Sequence, residues 1–305
     1  MNYKPKHFGN IFFAAILLFA AISNIGCKQT ANPGSGTQAT QTLTDDIGRE
    51  VTLPKEVTRA VSLAPNLTEI AFSIGAGEKI VGDTTYCDYP EGAKKVKKVG
   101  DTIKPNLEAI IALKPQVVFV STASQLESFT KTLEAQGIKV FVSNPNSLEG
   151  IYRSIVQIGE ILGAQKQAHA TVADMKGTVD EIEKETTKAR KIPTFVQIDA
   201  SLYTIGNTSF IADVITKAGG ELVTKDVNQA YFKISKEKAA ASAPEAIILT
   251  DSPDNQSPNE VFNNSTAIKN RNVFKINADI LSRPGPRTTD ALEEIASFYA
   301  DVRTK

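Results

Sequence analysis

Tryptophan is absent from this 305-residue chain, histidine occurs only as His7 and His169, and cysteine only as Cys27 and Cys87. Each scarcity excludes something. Two distant histidines leave no cluster for a zinc site and no Ser-His-Asp arrangement for nucleophilic catalysis. Two cysteines make no disulfide framework, so hydrophobic cores must hold the chain together. Lys plus Arg number 34 and Asp plus Glu 34, for a formal net charge of zero; there is no basic footprint for nucleic acid and no charged interaction tail. Carboxylates are too numerous to nominate a glycosidase pair, and no base lies near Cys87 in sequence, which reads as an inert buried thiol before a reactive one. Gly75-Ala76-Gly77 follows a helix instead of leading from a strand into one, and position 80 is Ile; it reads as a helix C-cap and not as a dinucleotide fingerprint. No catalytic residue, resident metal or cofactor is expected.

Long apolar runs are also missing. The run Ile11–Ile22 is too short to span a bilayer. With Lys4 and Lys6 before it and Gly26-Cys27 after it, residues 1–26 have the layout of an export signal. Asn24-Ile25-Gly26-Cys27 resembles the bacterial lipobox, which is cut before a cysteine that receives a diacylglyceryl group. Asn24 stands where Leu is usual, and the alternative is simple secretion with Cys27 as a free thiol. The stretch Lys28–Thr42 is rich in Thr, Gln, Gly and Ser without apolar periodicity, so residues 27–45 are expected to be a flexible tether.

What is present is a repeat. Residues 106–121 read NLEAIIALKPQVVFVS and residues 235–250 read SKEKAAASAPEAIILT. Superimposing Pro115 on Pro244 sets Asn106 on Ser235, both N-cap residue types, and Glu108 on Glu237, each in a first helical turn where a carboxylate favours the positive helix end. The residue before a proline avoids the α region, so each short helix stops there, and the apolar run that follows is typical of a parallel strand covered on both faces. Two similar α/β lobes follow, at 46–163 and 191–305. Between them residues 164–190 contain no Pro, and Val172, Met175, Val179, Ile182 and Ala189 recur at three- and four-residue steps. That predicts one bridging helix of roughly 40 Å, with Gly177 as a candidate bend. Asn66 followed by Glu69 suggests a cap-like entry into a helix over Leu67–Ile74. Asn277–Arg287 reads as a loop stiffened by the prolines around Gly285.

Open α/β sheets bind ligands beyond the C-terminal ends of their strands. Tyr86 and Tyr89 follow one predicted strand, Tyr203 another, and Asp279 and Arg283 a third. There the runs RAVSLAPNLTEIAFSIGAGEKIVGDTTYCDYP, VGDTIKPNLEAIIALKPQVVFVS and RPGPR make the chain similar to the substrate-binding lipoproteins of bacterial iron–siderophore and vitamin B12 importers, most of all their cobalamin-binding branch. The resemblance covers nearly the whole mature chain. It implies the class III periplasmic-binding-protein fold: two Rossmann-like lobes, each a parallel sheet flanked by helices, joined by one long α-helix, with little lobe movement. It further implies a non-enzymatic, exported, lipid-anchored monomer that binds cobalamin or a related corrinoid, or alternatively an iron–siderophore or haem. The partner implied is an ABC permease dimer with its ATPase subunits. By position, Tyr86, Tyr203 and Tyr231 match aromatic ligand contacts, Asp279 and Arg283 polar ones, and Glu108 and Glu237 the acids that dock onto permease arginines. Thr102 and Ser121 stand where a cobalamin binder has Trp.

Overall fold

The computed structural model describes residues 39–121 and 126–305; Cys27 and the signal and tether up to residue 38 lie outside them. Thr40–Thr44 (β1) and Glu50–Pro54 (β2) form an antiparallel hairpin, so residues 40–44 are not tether. Leu43, Val51 and Leu53 point inward at alternate positions, a period of two that the Thr-rich composition conceals. At its turn Arg49 donates to the carbonyl of Val140 at 3.0 Å, and the amide of Asp46 donates to that of Val142 at 3.0 Å. The hairpin thereby covers an edge strand that would otherwise offer unpaired backbone groups.

The first lobe continues through Ala60–Ser62 (β3), Pro65–Ser73 (α1), Ile80–Asp83 (β4), Leu107–Ala112 (α2), Val117–Val120 (β5), Leu126–Glu134 (α3), Lys139–Val142 (β6) and Leu148–Ile161 (α4). Its sheet is parallel in the order β4-β3-β5-β6. Gln165–Thr186 (α5) follows, 22 residues or roughly 33 Å. Met175 and Val179 are buried, and Val172 and Ile182 pack beside them. The ion pairs of α5 reach other elements: Lys176 meets Glu149 of α4 at 3.5 Å, and Glu183 meets Lys217 at 2.8 Å.

The second lobe contains Ile192–Gln197 (β7), Tyr203–Ile205 (β8), Phe210–Lys217 (α6), Gly220–Leu222 (β9), Tyr231–Lys233 (β10), Lys236–Ala241 (α7), Ala246–Asp251 (β11), Thr266–Lys269 (α8), Val273–Asn277 (β12), Ala278–Ser282 (α9) and Thr288–Thr304 (α10). Its sheet is again parallel, β12-β11-β7-β9, while β8 and β10 form a separate antiparallel ribbon. The helix α9 lies inside the expected loop: Asn277 accepts from the amide of Asp279 at 2.7 Å, and burial of Ile280 and Leu281 fixes the turn.

The repeat holds in detail. Asn106 accepts from the amide of Ala109 at 2.9 Å, and Ser235 from that of Lys238 at 3.3 Å, the matching position. Lys114 and Ala243, each just before its proline, both sit at positive φ, 48° and 43°. A helix leading into a parallel strand starts at the strand's C-terminal edge, so α2 and α7 both begin on the side of the molecule where ligands bind.

One hydrophobic core runs through both lobes. It joins Leu67 and Ile70 of α1, Ile151 and Ile155 of α4, Met175 of α5, Ile211 of α6 and Leu292 and Tyr299 of α10, while smaller clusters cover the outer face of each sheet. Asp213 of α6 also reaches across to accept from the amide of Leu148 at 3.0 Å, placing a carboxylate at the positive end of α4.

Candidate functional site

A cleft of about 300 Å³ opens between the lobes at the C-terminal edges of the strands. In the first lobe it lies at the point where strand order reverses: Ala64, Pro65 and Asn66 follow β3, and Ser121 follows β5. The corresponding crevice of the second lobe is plugged. Asn255, fully buried, donates to the carbonyls of Gln197 at 2.9 Å and Thr250 at 2.9 Å, and Gln197 donates back to it at 2.6 Å. The second lobe instead contributes Thr208, Ser209 and Phe210 at the start of α6, Tyr231 of the ribbon, and Ser282, Arg283 and Pro284 at the end of α9.

The ribbon is what brings Tyr203 and Tyr231 together. Tyr231 pairs with Ile205 and Lys233 with Tyr203, so both tyrosines stand on one face, 39% and 40% exposed. Gly206 makes this possible, because a Cβ there would lie 2.3 Å from the carbonyl oxygen of Gln229. Desolvation pushes the Tyr231 hydroxyl above its usual range, as does the neighbouring Tyr203, while Ser209 opposes both.

On the first lobe, Tyr86 is 59% exposed, on a loop anchored from beneath. Cys87 is buried and unpaired, and its sulfur is held by the hydroxyls of Thr68 and Thr84, each at 3.2 Å. Burial pushes this thiol up, away from the reactive thiolate. Lys98 ties the loop down by donating to Asp83 at 2.9 Å and to the carbonyls of Cys87 and Ala93 at 2.8 and 3.0 Å. The second oxygen of Asp83 has no hydrogen-bond partner. Desolvation raises this carboxyl from 3.8 to about 6, with Lys98 pulling only partly the other way. The unfolded chain gives up this proton first, so stability present below pH 3.8 is lost as pH rises to about 6, by about 3 kcal/mol. Asp83→Asn should flatten that part of the profile, checked by urea denaturation at a series of pH values; an unchanged slope between wild type and variant counts against it.

Arg283 lines the cleft but is already engaged. It pairs with Glu69 of α1 at 2.9 Å, with Asp88 at 2.9 Å and with Asp279 at 2.8 Å, and reaches the carbonyl of Tyr86 at 3.5 Å. Arg287 makes a two-pronged pair with the same Glu69, at 2.8 and 2.6 Å, and lies 4.1 Å over the ring of Tyr89. Asn66 adds a bond to the carbonyl of Pro284 at 3.3 Å. Glu69 is therefore no cap: Ala64 is the N-cap of α1 and makes no side-chain cap bond, and the Glu69 carboxylate clasps two arginines of the other lobe. Burial acts to raise the Asp88 carboxyl, but its hydrogen bond to Arg283, a backbone hydrogen bond and the charges of Arg283 and Arg287 together outweigh this and hold it below its usual range.

Of the residues expected to meet ligand, Tyr231 and Arg283 line the cleft, Tyr203 stands beside Tyr231, Asp279 pairs with Arg283, and Tyr86 faces out of the first-lobe loop. Thr102 and Ser121 line the cleft as well. Glu108 and Glu237 are exposed in the first turns of α2 and α7, outside the cleft lining. Among the described residues no group of three or more His, Cys, Asp or Glu could hold a metal ion, and no helix is long and apolar enough to cross a membrane.

The family model for periplasmic binding proteins matches residues 61–280. The chain belongs to that family. This binding protein is 32% identical over 305 residues to the ABC transporter substrate-binding lipoprotein YvrC of Bacillus subtilis, covering 94% of this chain and 96% of that one. It is 29% identical over 259 residues to a vitamin B12-binding protein of Vibrio vulnificus, covering 82% and 92%. Its fold matches the vitamin B12-binding protein BtuF of Vibrio cholerae with a TM-score of 0.69 at 24% identity, over 82% of this chain and 99% of that one. A possible iron-binding protein of Staphylococcus epidermidis matches equally well, with a TM-score of 0.69 at 29% identity over 80% and 99%. The family consists of non-enzymatic solute-binding components of ABC importers, and the architecture seen here, two parallel sheets flanked by helices, is its class III form.

Proposed function

We propose that this binding protein carries cobalamin or a related corrinoid, held in the inter-lobe cleft and delivered to an ABC permease. The observation that carries this reading is the pairing of exposed aromatic rings with a cleft lined by amides and hydroxyls. Tyr86 projects from one lobe and Tyr203 and Tyr231 from the other, while Asn66, Asn144, Asn146, Thr102 and Ser121 line the space between. A corrin ring is a flat apolar disc fringed with amide side chains. Tyrosine faces suit the disc, and asparagine and serine suit the fringe. Small residues at 102 and 121 give the first-lobe wall hydrogen-bonding capacity where bulk is absent. Tyr86, Tyr203, Tyr231, Asp279 and Arg283 are the proposed contacts, the last two presenting whatever hydrogen-bonding capacity their mutual pairing leaves. Cys27 is the proposed lipid anchor, and Glu108 and Glu237 the proposed docking acids.

Calorimetric titration of the mature protein with cyanocobalamin tests the reading. Binding at micromolar concentration is expected, and Tyr231→Ala should weaken it by about tenfold, roughly 1.4 kcal/mol. Absence of heat with cyanocobalamin would move the assignment to a ferric siderophore or haem. The likeness to the Staphylococcus protein favours that as the second reading.

A further inference from the structure

Arg283 is the one charged residue lining the cleft among the described residues. A lone cation in a ligand site ordinarily selects an anion. Here its guanidinium is bound by Glu69, Asp88 and Asp279, and the neighbouring Arg287 is bound by Glu69. Two guanidinium groups thus face three carboxylates. Of these, Glu69 is 3% exposed in its side chain, so water screens it least. At the ribbon, burial acts to raise the Asp199 carboxyl, but hydrogen bonds from Ser201 and from the backbone of Ser201 and Tyr203, with a smaller contribution from the charge of Lys233, hold it below its usual range. The remaining lining is amide, hydroxyl, proline and aromatic.

We propose that Glu69 sets the charge class of the ligand: by occupying Arg283 from the opposite lobe, with Asp88 and Asp279 as partners, it closes the cleft to polyanions and selects a ligand without net negative charge. Glu69 lines no part of the cleft and acts through Arg283, so it is a positioning residue. An amide-fringed macrocycle meets this requirement, as does a neutral ferric trihydroxamate. A porphyrin with free carboxylates, a ferric tris-catecholate or an oxyanion does not. The proposal rests on the cleft being the ligand site and narrows the reading above without depending on the corrin ring.

The test uses two matched pairs of probes on the mature full-length protein, with cyanocobalamin titrated alongside: dicyanocobinamide against dicyanocobyrinic acid, both without the nucleotide loop, the second carrying carboxylates in place of amides around the ring, and a neutral ferric trihydroxamate against an anionic ferric tris-catecholate. Wild type should prefer the neutral member of whichever pair it binds by about tenfold or more. Glu69→Gln should narrow that preference by about tenfold, through a gain for the anion that fades at high salt. Asp88→Asn, at a partner that is 56% exposed in its side chain, should shift the preference the same way by a smaller factor, and it carries the test if Glu69→Gln fails to fold. A merely structural role would weaken both members alike. Loss of both in proportion, a wild-type preference for the anion, or no binding of any probe overturns the proposal. If corrinoids fail to bind while the hydroxamate beats the catecholate and Glu69→Gln narrows this preference, the corrinoid reading falls and the charge assignment stands. If cyanocobalamin binds and neither variant moves the preference, the reverse holds.

Discussion

Replacing Glu108 and Glu237 together with alanine is expected to leave ligand affinity within about threefold, under 1 kcal/mol, while transport through the cognate permease falls by at least tenfold. The two acids occupy equivalent positions in the repeat, and both are exposed in the first turn of a helix that begins at the cleft edge of its sheet. Neither lines the cleft, so ligand binding has no reason to change. The Glu237 carboxyl is held below its usual range by its own backbone N–H and by the Ser235 hydroxyl, so it presents a charge at neutral pH. One acid per pseudo-symmetric lobe suits a two-fold permease presenting arginines about its axis. Glu→Gln at both sites should behave almost as badly as Ala, because charge is what the arginine reads. Association measured by surface plasmon resonance should lose its low-salt acceleration in either double variant. Normal docking and transport in the double variant would falsify the assignment and leave both acids as helix-end residues.

Arg287→Ala is expected to cost about 3 kcal/mol of stability. Arg287 makes two of the three hydrogen bonds that Glu69 accepts, and the Glu69 side chain is 3% exposed. Removing one partner of a buried pair leaves the other charge poorly compensated, which outweighs the modest net value of the intact pair. The loss of packing over Tyr89 adds to this. Arg287 lies outside the cleft lining, so the effect should appear in the urea midpoint and in faster hydrogen exchange of α1 and of residues 283–288, not primarily in ligand affinity. The combination Glu69→Met with Arg287→Met should regain most of the loss, since Arg283 keeps Asp88 and Asp279. A cost below about 1 kcal/mol for Arg287→Ala would mean that the shared hydrophobic core, and not the clasp, fixes the lobes.

That distinction matters for how a binding protein of this class works. A core continuous through both lobes, the Asp213 contact to α4 and the Glu69 clasp brace the cleft on different sides. The pairing of Arg283 with three carboxylates is part of what the cleft presents to a solute.

The sequence by itself determined what depends on near neighbours. The duplicated cap, short helix, proline and buried strand are written in contiguous residues, because Asn106 and Ser235 satisfy amides three positions on and a proline stops its own helix. The helix stop at Gly75 is equally local: its φ is +75°, and the amide of Ala76 returns to the carbonyl of Ala71. Where the signal was averaged over composition, it was lost. The alternation of Leu43, Val51 and Leu53 is hidden among threonines and glutamines, so β1 reads as tether in composition. What only the tertiary structure decided are the contacts made across the lobes and across long loops. Glu69 and Arg287 lie 218 positions apart, so no periodicity or spacing links them, and Glu69 in isolation matches a helix-entry carboxylate just as well. Tyr203 and Tyr231 share a face only because β8 and β10 pair, which depends on the close backbone approach at Gly206. The sequence names residues capable of holding a ligand; folding decides which of them are free to do so, because a charge paired in the native state no longer offers its full attraction to a solute.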